Sequence, residues 1–431
     1  MSDPVAPIGA HAMLVFLLQL GVLLGLALAL GRLALRLRMP AVVGELSAGV
    51  LVGPSVLTHL APAVSTWLLP HDTAQQHLLD AVGQLGVLLL VGITGMHMDL
   101  GLVRRRGATA AKVSLGGLLL PLAMGVGLGL VLPGMLLADG SARVVFALFM
   151  GVAMCVSAIP VIAKTLLEMR LLHRDIGQLT MSAATVDDIV GWLLLSIVSA
   201  LATTGLRTGQ VLWSVGGLVA VVVLTVAIGR PLVNATLRAT SRSTEPGVNI
   251  AAAVVLVMLG AAGTHALGME PVLGALLCGM LIGSSRFVDL GRLAPLRTVV
   301  MSVLAPVFFA TAGLRMDLTE LVDPAVLATA VAVLAVAIVG KFAGAYVGAR
   351  ASRLGHWEAI ALGAGLNTRG VIEVIVAMVG LRLGVLSTAT YTIVVLVAIV
   401  TSLMAPPMLR YATRRIAVTD EERARERVFH G

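Results

Sequence analysis

Apolar runs of about 20 residues, long enough to cross a bilayer as helices, alternate along the chain with short charged or proline- and glycine-containing stretches. They predict thirteen helices, at 12–35, 39–57, 77–98, 108–136, 142–168, 174–203, 209–236, 247–266, 269–285, 296–314, 324–349, 356–382 and 387–411. The cationic residues test this count, because cytoplasmic loops carry an excess of Lys and Arg. Loops after odd-numbered helices hold Arg32, Arg36 and Arg38; Arg104, Arg105 and Arg106; Lys164, Arg170 and Arg174; Arg238 and Arg242; Arg286, Arg292 and Arg297; Arg350 and Arg353; and Arg410, Arg414 and Arg415. The intervening loops hold only Arg143, Arg207, Arg315 and Arg382. The alternation places the N-terminus outside and the C-terminus in the cytoplasm.

Composition agrees. Of 431 residues, 58% are hydrophobic and 12% charged, and the mean hydropathy is +1.01. A soluble domain carries about 25% charged residues, so this chain has too little polar surface for water and reads as an all-α polytopic membrane protein. The net charge of +8 belongs to its cytoplasmic loops and does not imply a nucleic-acid partner. Cys155 and Cys278 fall inside apolar runs and read as packing residues. The start of the chain has no basic region or cleavage site, so the first apolar run is expected to be a retained helix. After Arg410 only a short charged segment remains, too short for a regulatory domain.

One segment recurs. Met39–Gly53 aligns without gaps on Met269–Gly283, with identities at Met39/Met269, Val42/Val272, Gly44/Gly274, Leu46/Leu276, Gly49/Gly279, Leu51/Leu281 and Gly53/Gly283. Spaced glycines also mark close helix packing. However, the second predicted helix starts at the cytoplasm and the ninth starts outside. Similar sequence in opposite orientation marks an inverted-topology repeat, a transporter architecture. Helices 1–6 would match 8–13, with helix 7 as linker.

An ionisable group in mid-bilayer costs about 2.5–3.5 kcal/mol on insertion scales and needs a partner or a task. The intramembrane set is Glu45, Asp187, Asp188, Lys341, Arg369 and Glu373. Asp187 and Asp188 lie near the middle of the sixth helix. Adjacent positions diverge by about 100° on a helix, so one carboxylate can face an opposite charge while the other faces a water-filled cavity. Carboxylate oxygens suit alkali cations, and a buried carboxylate can trade a proton for a cation. Lys341, in mid-helix 11, could pair with Asp187 and itself release a proton, or it could snorkel to the interface.

Two helices read as broken. The fifth contains Ser157 and Pro160, and the proline removes a backbone donor. The twelfth contains Gly363, Gly365 and Gly370 around Asn367, Thr368 and Arg369. Asn367 and Thr368 can take up freed backbone bonds. The two helices are repeat mates, and paired broken helices point to a transport site. Arg369 and Glu373 could compensate the opposed half-helix dipoles. They are also spaced i,i+4 and could neutralise each other, so Glu373 has both a pairing role and a direct ion role open to it. Glu45 reads as a packing acid or a cation funnel. His97, His173 and His356 sit at membrane edges. No metal-cluster, phosphate-loop or nucleophile motif is present, and no cofactor is expected.

The segments Pro40–Pro54, Ser157–Lys164, Val186–Asp188, Pro306–Arg315 and Asn367–Gly370 resemble the monovalent cation:proton antiporter-2 family of the sodium/hydrogen exchanger superfamily. The resemblance covers nearly the whole chain. It implies an inverted-repeat sodium/proton antiporter fold with two broken crossing helices, in a homodimer of the bacterial inner membrane. It divides the chain at 1–105 and 241–322 (dimerisation domain, helices 1–3 and 8–10), 106–204 and 323–412 (moving core, helices 4–6 and 11–13), 205–240 (linker helix 7) and 413–431 (cytoplasmic tail). It implies that Asp188 binds the monovalent cation (Na+ or K+) or protons, and that Asp187 partners Lys341. Members with this trio tend to be electrogenic. The Asn367–Gly370…Glu373 pattern resembles instead the plant cation/proton exchanger branch, whose acidic pair is often Asn-Asp. The expected function is proton exchange for Na+ or K+ by alternating access, not an enzyme activity. The alternative is a potassium-efflux pathway or cation symporter on the same fold; potassium-efflux relatives carry a cytoplasmic nucleotide-binding domain that this sequence does not contain. An intramembrane aspartyl protease needs acids on two facing helices, and here both lie on one. A sensor without transport would need an output domain.

Overall fold

The structure, a computed structural model, describes residues 9–37, 39–70, 72–98, 100–171, 173–204, 216–221, 223–241 and 245–422. Arg38, Arg207, Arg242 and the tail after Glu422 lie outside the described residues, as do the side chains of Arg104, Arg105, Arg106, Pro160 and Lys164.

Among the described residues the secondary structure is helical apart from one antiparallel bridge, Leu137 to Leu386. Every predicted span has a counterpart. In chain order these are α1 (Ala10–Arg36), α2 (Ala41–Leu60), α3 (Gln75–Met96), α4 (Gly107–Val131), α5a (Arg143–Cys155) with α5b (Ile159–Glu168), α6 (Asp175–Thr203), α7 (Gly216–Thr240), α8 (Gly247–Ala266), α9 (Pro271–Gly283), α10 (Ala294–Leu314), α11 (Pro324–Ala351), α12a (His356–Leu366) with α12b (Val371–Arg382), and α13 (Thr388–Thr413). Among the described residues ten are long and apolar enough to cross a bilayer, α2 with a turn between Val52 and Leu57; α12a and α12b form an eleventh, bent by 44°. The half-helices of α5 and the short α9 complete the set of thirteen.

Local sequence explains where helices stop and bend. α4 ends at Val131, short of the predicted 136, because Pro133 follows and the chain tightens into a 3-10 turn at Gly134–Leu136. A π-helical turn precedes a proline in two helices: Thr225–Gly229 before Pro231 in α7, and Val300–Leu304 before Pro306 in α10. The wider turn makes room for a ring that would clash with the carbonyl four residues back. α11 and α13 begin on side-chain caps, with Asp323 accepting from the Ala325 amide and Ser387 from the Thr390 amide.

The chain divides into two compact units: Met1–Leu90 with Leu290–Thr319, and Val91–Asp289 with Glu320–Gly431. The first holds α1, α2, most of α3, and α10. The second holds α4–α9 and α11–α13. Within each unit the repeated segment packs in the same way. A Cβ at Gly44 would lie 2.1 Å from the Leu30 carbonyl oxygen of α1, and one at Gly274 would lie 2.0 Å from the Gly260 oxygen of α8. A Cβ at Gly49 would lie 1.9 Å from Ala310 O of α10, and one at Gly279 would lie 2.1 Å from Gly92 O of α3. Matching glycines therefore seat their helices against matching neighbours, α1 with α8 and α10 with α3. Lipid tails offer no hydrophobic drive between helices, so this close backbone approach supplies the packing energy.

Candidate functional site

The second unit brings the intramembrane charges together, apart from Glu45. α4 and α11 approach most closely at Gly116 and Gly344, where an added Cβ on either would lie 2.3 or 2.2 Å from the other's carbonyl oxygen. That contact sets Ser114 on α4 and Lys341 on α11 against α6. Asp187 accepts from the Ser114 hydroxyl at 2.5 Å through Oδ1, and from Lys341 Nζ at 2.5 Å through Oδ2. Ser157 Oγ lies 2.9 Å from Asp187 Oδ2 and 2.9 Å from the Leu366 carbonyl, so its single proton serves one at a time. Asp187 and Lys341 are fully buried. Their pairing matches the first reading of Lys341, and snorkelling does not occur.

Asp188 is as deeply buried, yet neither of its carboxylate oxygens has a hydrogen-bond partner among the described residues. The backbone amide of Ile159, at the start of α5b, lies close enough to act on it electrostatically. One acid of the doublet is thus saturated and its neighbour is unsatisfied. A buried polar group left in that condition is costly.

Both breaks lie beside this pair. α5a ends at Cys155, and Val156, Ser157 and Ala158 are unwound. The break lies before Pro160, which falls in the first turn of α5b, where a missing amide costs nothing. α12 opens over Asn367–Gly370. The two breaks meet: the Ala158 amide donates to Thr368 O at 3.2 Å, and a Cβ on Gly370 would lie 2.8 Å from the Val161 side chain. The Asn367 and Thr368 side-chain oxygens do not take up freed backbone bonds; Asn367 Oδ1 and Thr368 Oγ1 have no partner among the described residues. The freed carbonyls go elsewhere, Leu366 O to Ser157 and Arg369 O to Ser402.

Cations serve the negative end of α5a. Arg369 donates to the Ala153 carbonyl at 2.6 Å and to Met154 O, and also to Ala337 O of α11 at 3.1 Å. Lys341 donates to Cys155 O at 2.5 Å. The last three carbonyls of the half-helix therefore each face a positive group, as the macrodipole requires. Arg369 Nη1 also lies 3.3 Å from Glu373 Oε1, in the first turn of α12b, while Glu373 Oε2 has no partner among the described residues. Glu45 belongs to the other unit, where it packs against Gly31 of α1. His97 and His356 lie exposed at helix ends, and His173 is buried at the entry to α6.

Sequence reasoning passed over Ser114, Ser402 and a stripe on α6. Trp192, Ser196 and Ser199 follow Asp188 at helical spacing, and each is buried with a polar atom that has no partner among the described residues. That stripe was legible as polar residues one, two and three turns from an intramembrane acid.

Two broken helices crossing at a buried acid–lysine pair, next to an unsatisfied carboxylate, define a class of ion-transporting membrane protein. The family model for the transmembrane sodium/hydrogen exchanger matches residues 22–414. The Na+/H+ antiporter NhaS4 of Synechocystis is 32% identical over 404 residues, covering 93% of this chain and 97% of that protein. Cation/H+ antiporter 17 of Arabidopsis thaliana is 29% identical and covers 93% of this chain, which spans about half (48%) of the plant protein. The Na+/H+-K+ antiporter GerN of Bacillus cereus is 27% identical, covering 92% and 96%. Among solved structures, the sodium proton antiporter MjNhaP1 of Methanocaldococcus jannaschii at pH 8 shares the fold, with a TM-score of 0.69 at 16% identity over 94% of this chain and 99% of that one. The chain belongs to the sodium/hydrogen exchanger family. It is a multi-pass membrane protein with the inverted-repeat antiporter fold.

Proposed function

We propose that this protein exchanges protons for a monovalent cation, Na+ or K+, across the bacterial inner membrane by alternating access. Asp188 is the group that trades one for the other. The observation that carries the reading is the contrast within the doublet: Asp187 is held by two serines and a lysine, whereas neither oxygen of Asp188, at the crossing of two broken helices, has a hydrogen-bond partner among the described residues. Carboxylate oxygens are hard ligands suited to an alkali cation. Stripped of water, the carboxylate is not stable bare, so either a proton or a cation must neutralise it. Asn367 and Thr368 offer further oxygens without a partner among the described residues at the second break. Asp187 and Lys341 hold the crossing together and set the local charge. The relatives named for Na+/H+, Na+/H+-K+ and cation/H+ antiport support the same reaction.

In this reading helices 4–6 and 11–13 move as a core against helices 1–3 and 8–10, which form the interface of a homodimer. The N-terminus faces outward and the C-terminus faces the cytoplasm, as the arginine distribution requires. Asp188→Asn is expected to abolish cation-dependent proton flux in proteoliposomes while leaving the protein folded. Undiminished exchange by that variant would remove Asp188 from the mechanism.

A further inference from the structure

Two cavities lie end to end along the seam between α7 and α9, away from the site above. The first, about 560 Å³, is lined by Arg230, Asn234, Arg238, Arg286 and Phe287. Arg230, Asn234 and Arg238 are spaced i, i+4, i+8 and so share one face of α7. Arg238 and Arg286 lie over the Phe287 ring, at 5.9 and 4.8 Å from its centroid. The Asn234 side-chain oxygen is committed to the Ser285 hydroxyl at 2.6 Å, leaving its NH2 as the donating end. None of the three arginines has a carboxylate partner among the described residues.

The second cavity, about 330 Å³, continues along α7 between α8 and α9. It is apolar, with Leu224, Ile228, Leu232, Leu259, Gly263 and Leu281 on its walls. The π-helical turn at Thr225–Gly229 lies on this stretch of α7. Leu224, Ile228, Leu232 and Leu259 are 47–62% exposed, so no described part of the chain covers them fully.

We propose that this seam binds an anionic phospholipid, with its phosphate among Arg230, Arg238 and Arg286 and an acyl chain in the groove beside Gly263. Guanidinium forks match phosphate oxygens, and basic pockets between membrane helices attract anionic headgroups. The groove argues for a lipid over a soluble anion, which would use the basic cavity alone. Three guanidiniums with no carboxylate partner among the described residues argue against a zwitterionic headgroup, whose ammonium they would repel.

The test uses the delipidated full chain in detergent, with thermal melting followed during titration. The probes are dioleoylphosphatidylglycerol, dioleoylphosphatidylcholine and glycerol 3-phosphate. The anionic lipid is expected to raise the melting temperature, and the other two are not. The combined Arg230→Gln, Arg238→Gln, Arg286→Gln variant should raise the half-saturating lipid concentration about tenfold or more. Gly263→Leu, whose Cβ would meet nothing within 4 Å, should fill the groove and weaken binding with all three arginines intact. Melting of each variant without lipid confirms folding, and Arg286→Gln alone carries the comparison if the triple variant does not fold. Equal shifts with phosphatidylcholine, a full shift from glycerol 3-phosphate alone, or unchanged half-saturation in the arginine and Gly263 variants would each overturn the proposal.

Discussion

Asp187 and Asp188 are chemically identical and adjacent, and the fold separates them completely. Asp187 is an internal counter-ion. Removing Lys341 from a fully buried pair leaves a carboxylate without its counter-ion, a loss of about 3–5 kcal/mol for such pairs. Lys341→Gln should therefore lower thermal stability sharply, and adding Asp187→Asn should recover much of the loss. A double-mutant cycle on melting temperature checks this, and additive losses would contradict the pairing. Charges inside apolar runs are rare, which is why Asp187, Asp188, Lys341, Arg369 and Glu373 stood out in the sequence. Ser114 did not: serine is common in membrane helices, and its link to Asp187 spans 73 positions. Helical geometry sets the divergence of the two acids but not which of them faces α11; the pairing of Asp187 with Lys341 came from the family resemblance, and the structure has it.

At the scale of elements, the crossing of α5 and α12 is held by backbone and charge together. Arg369 spans it, reaching three carbonyls on α5a and α11 as well as Glu373. Arg369→Met should strip all of these and cost about 3–5 kcal/mol, since a buried carboxylate loses its partner. Glu373→Gln should leave cation-dependent proton flux in place, because one carboxylate oxygen is already engaged in neutralising Arg369. Flux measured on both variants separates the two roles, and loss of exchange in Glu373→Gln would make Glu373 a direct ion ligand. Pro160 located the first break only to within a turn. The break itself falls at Val156–Ala158, where the Ala158 amide meets Thr368 from the second broken helix, a partner more than two hundred residues away. Local propensity marks weak helix, and tertiary pairing chooses the residue.

At the scale of the whole chain, thirteen helices, their order and the repeat were legible because hydropathy and arginine distribution are properties of long segments. The repeat rests on glycines whose task is close approach, so the contact pattern is preserved where most side chains are not. The C-terminal segment was read as a short charged tail. In the second unit its described part is tied to the entry of α6: Arg174 donates to Glu422 at 3.3 Å and to the carbonyls of Ile416 and Ala417. Glu422 caps the Asp175 amide at 2.8 Å. A carboxylate so far from the membrane runs carries no hydropathy signal of its docking. Orientation has a direct test. In a background with Cys155 and Cys278 replaced, Asp139→Cys should react with a membrane-impermeant maleimide on intact cells, and Ala294→Cys only after permeabilisation. The reverse pattern would invert the topology.

The exchange of a proton for a cation on one carboxylate has a signature that does not depend on movement or on membrane orientation. Purified protein in weakly buffered detergent solution should release protons into the medium when NaCl, KCl or LiCl is added, with a dye or calorimeter reading the release. The wild-type chain should give saturable proton release with at least one of these cations, and Asp188→Asn should give none. Equal proton release from Asp188→Asn would show that the exchanging carboxylate lies elsewhere.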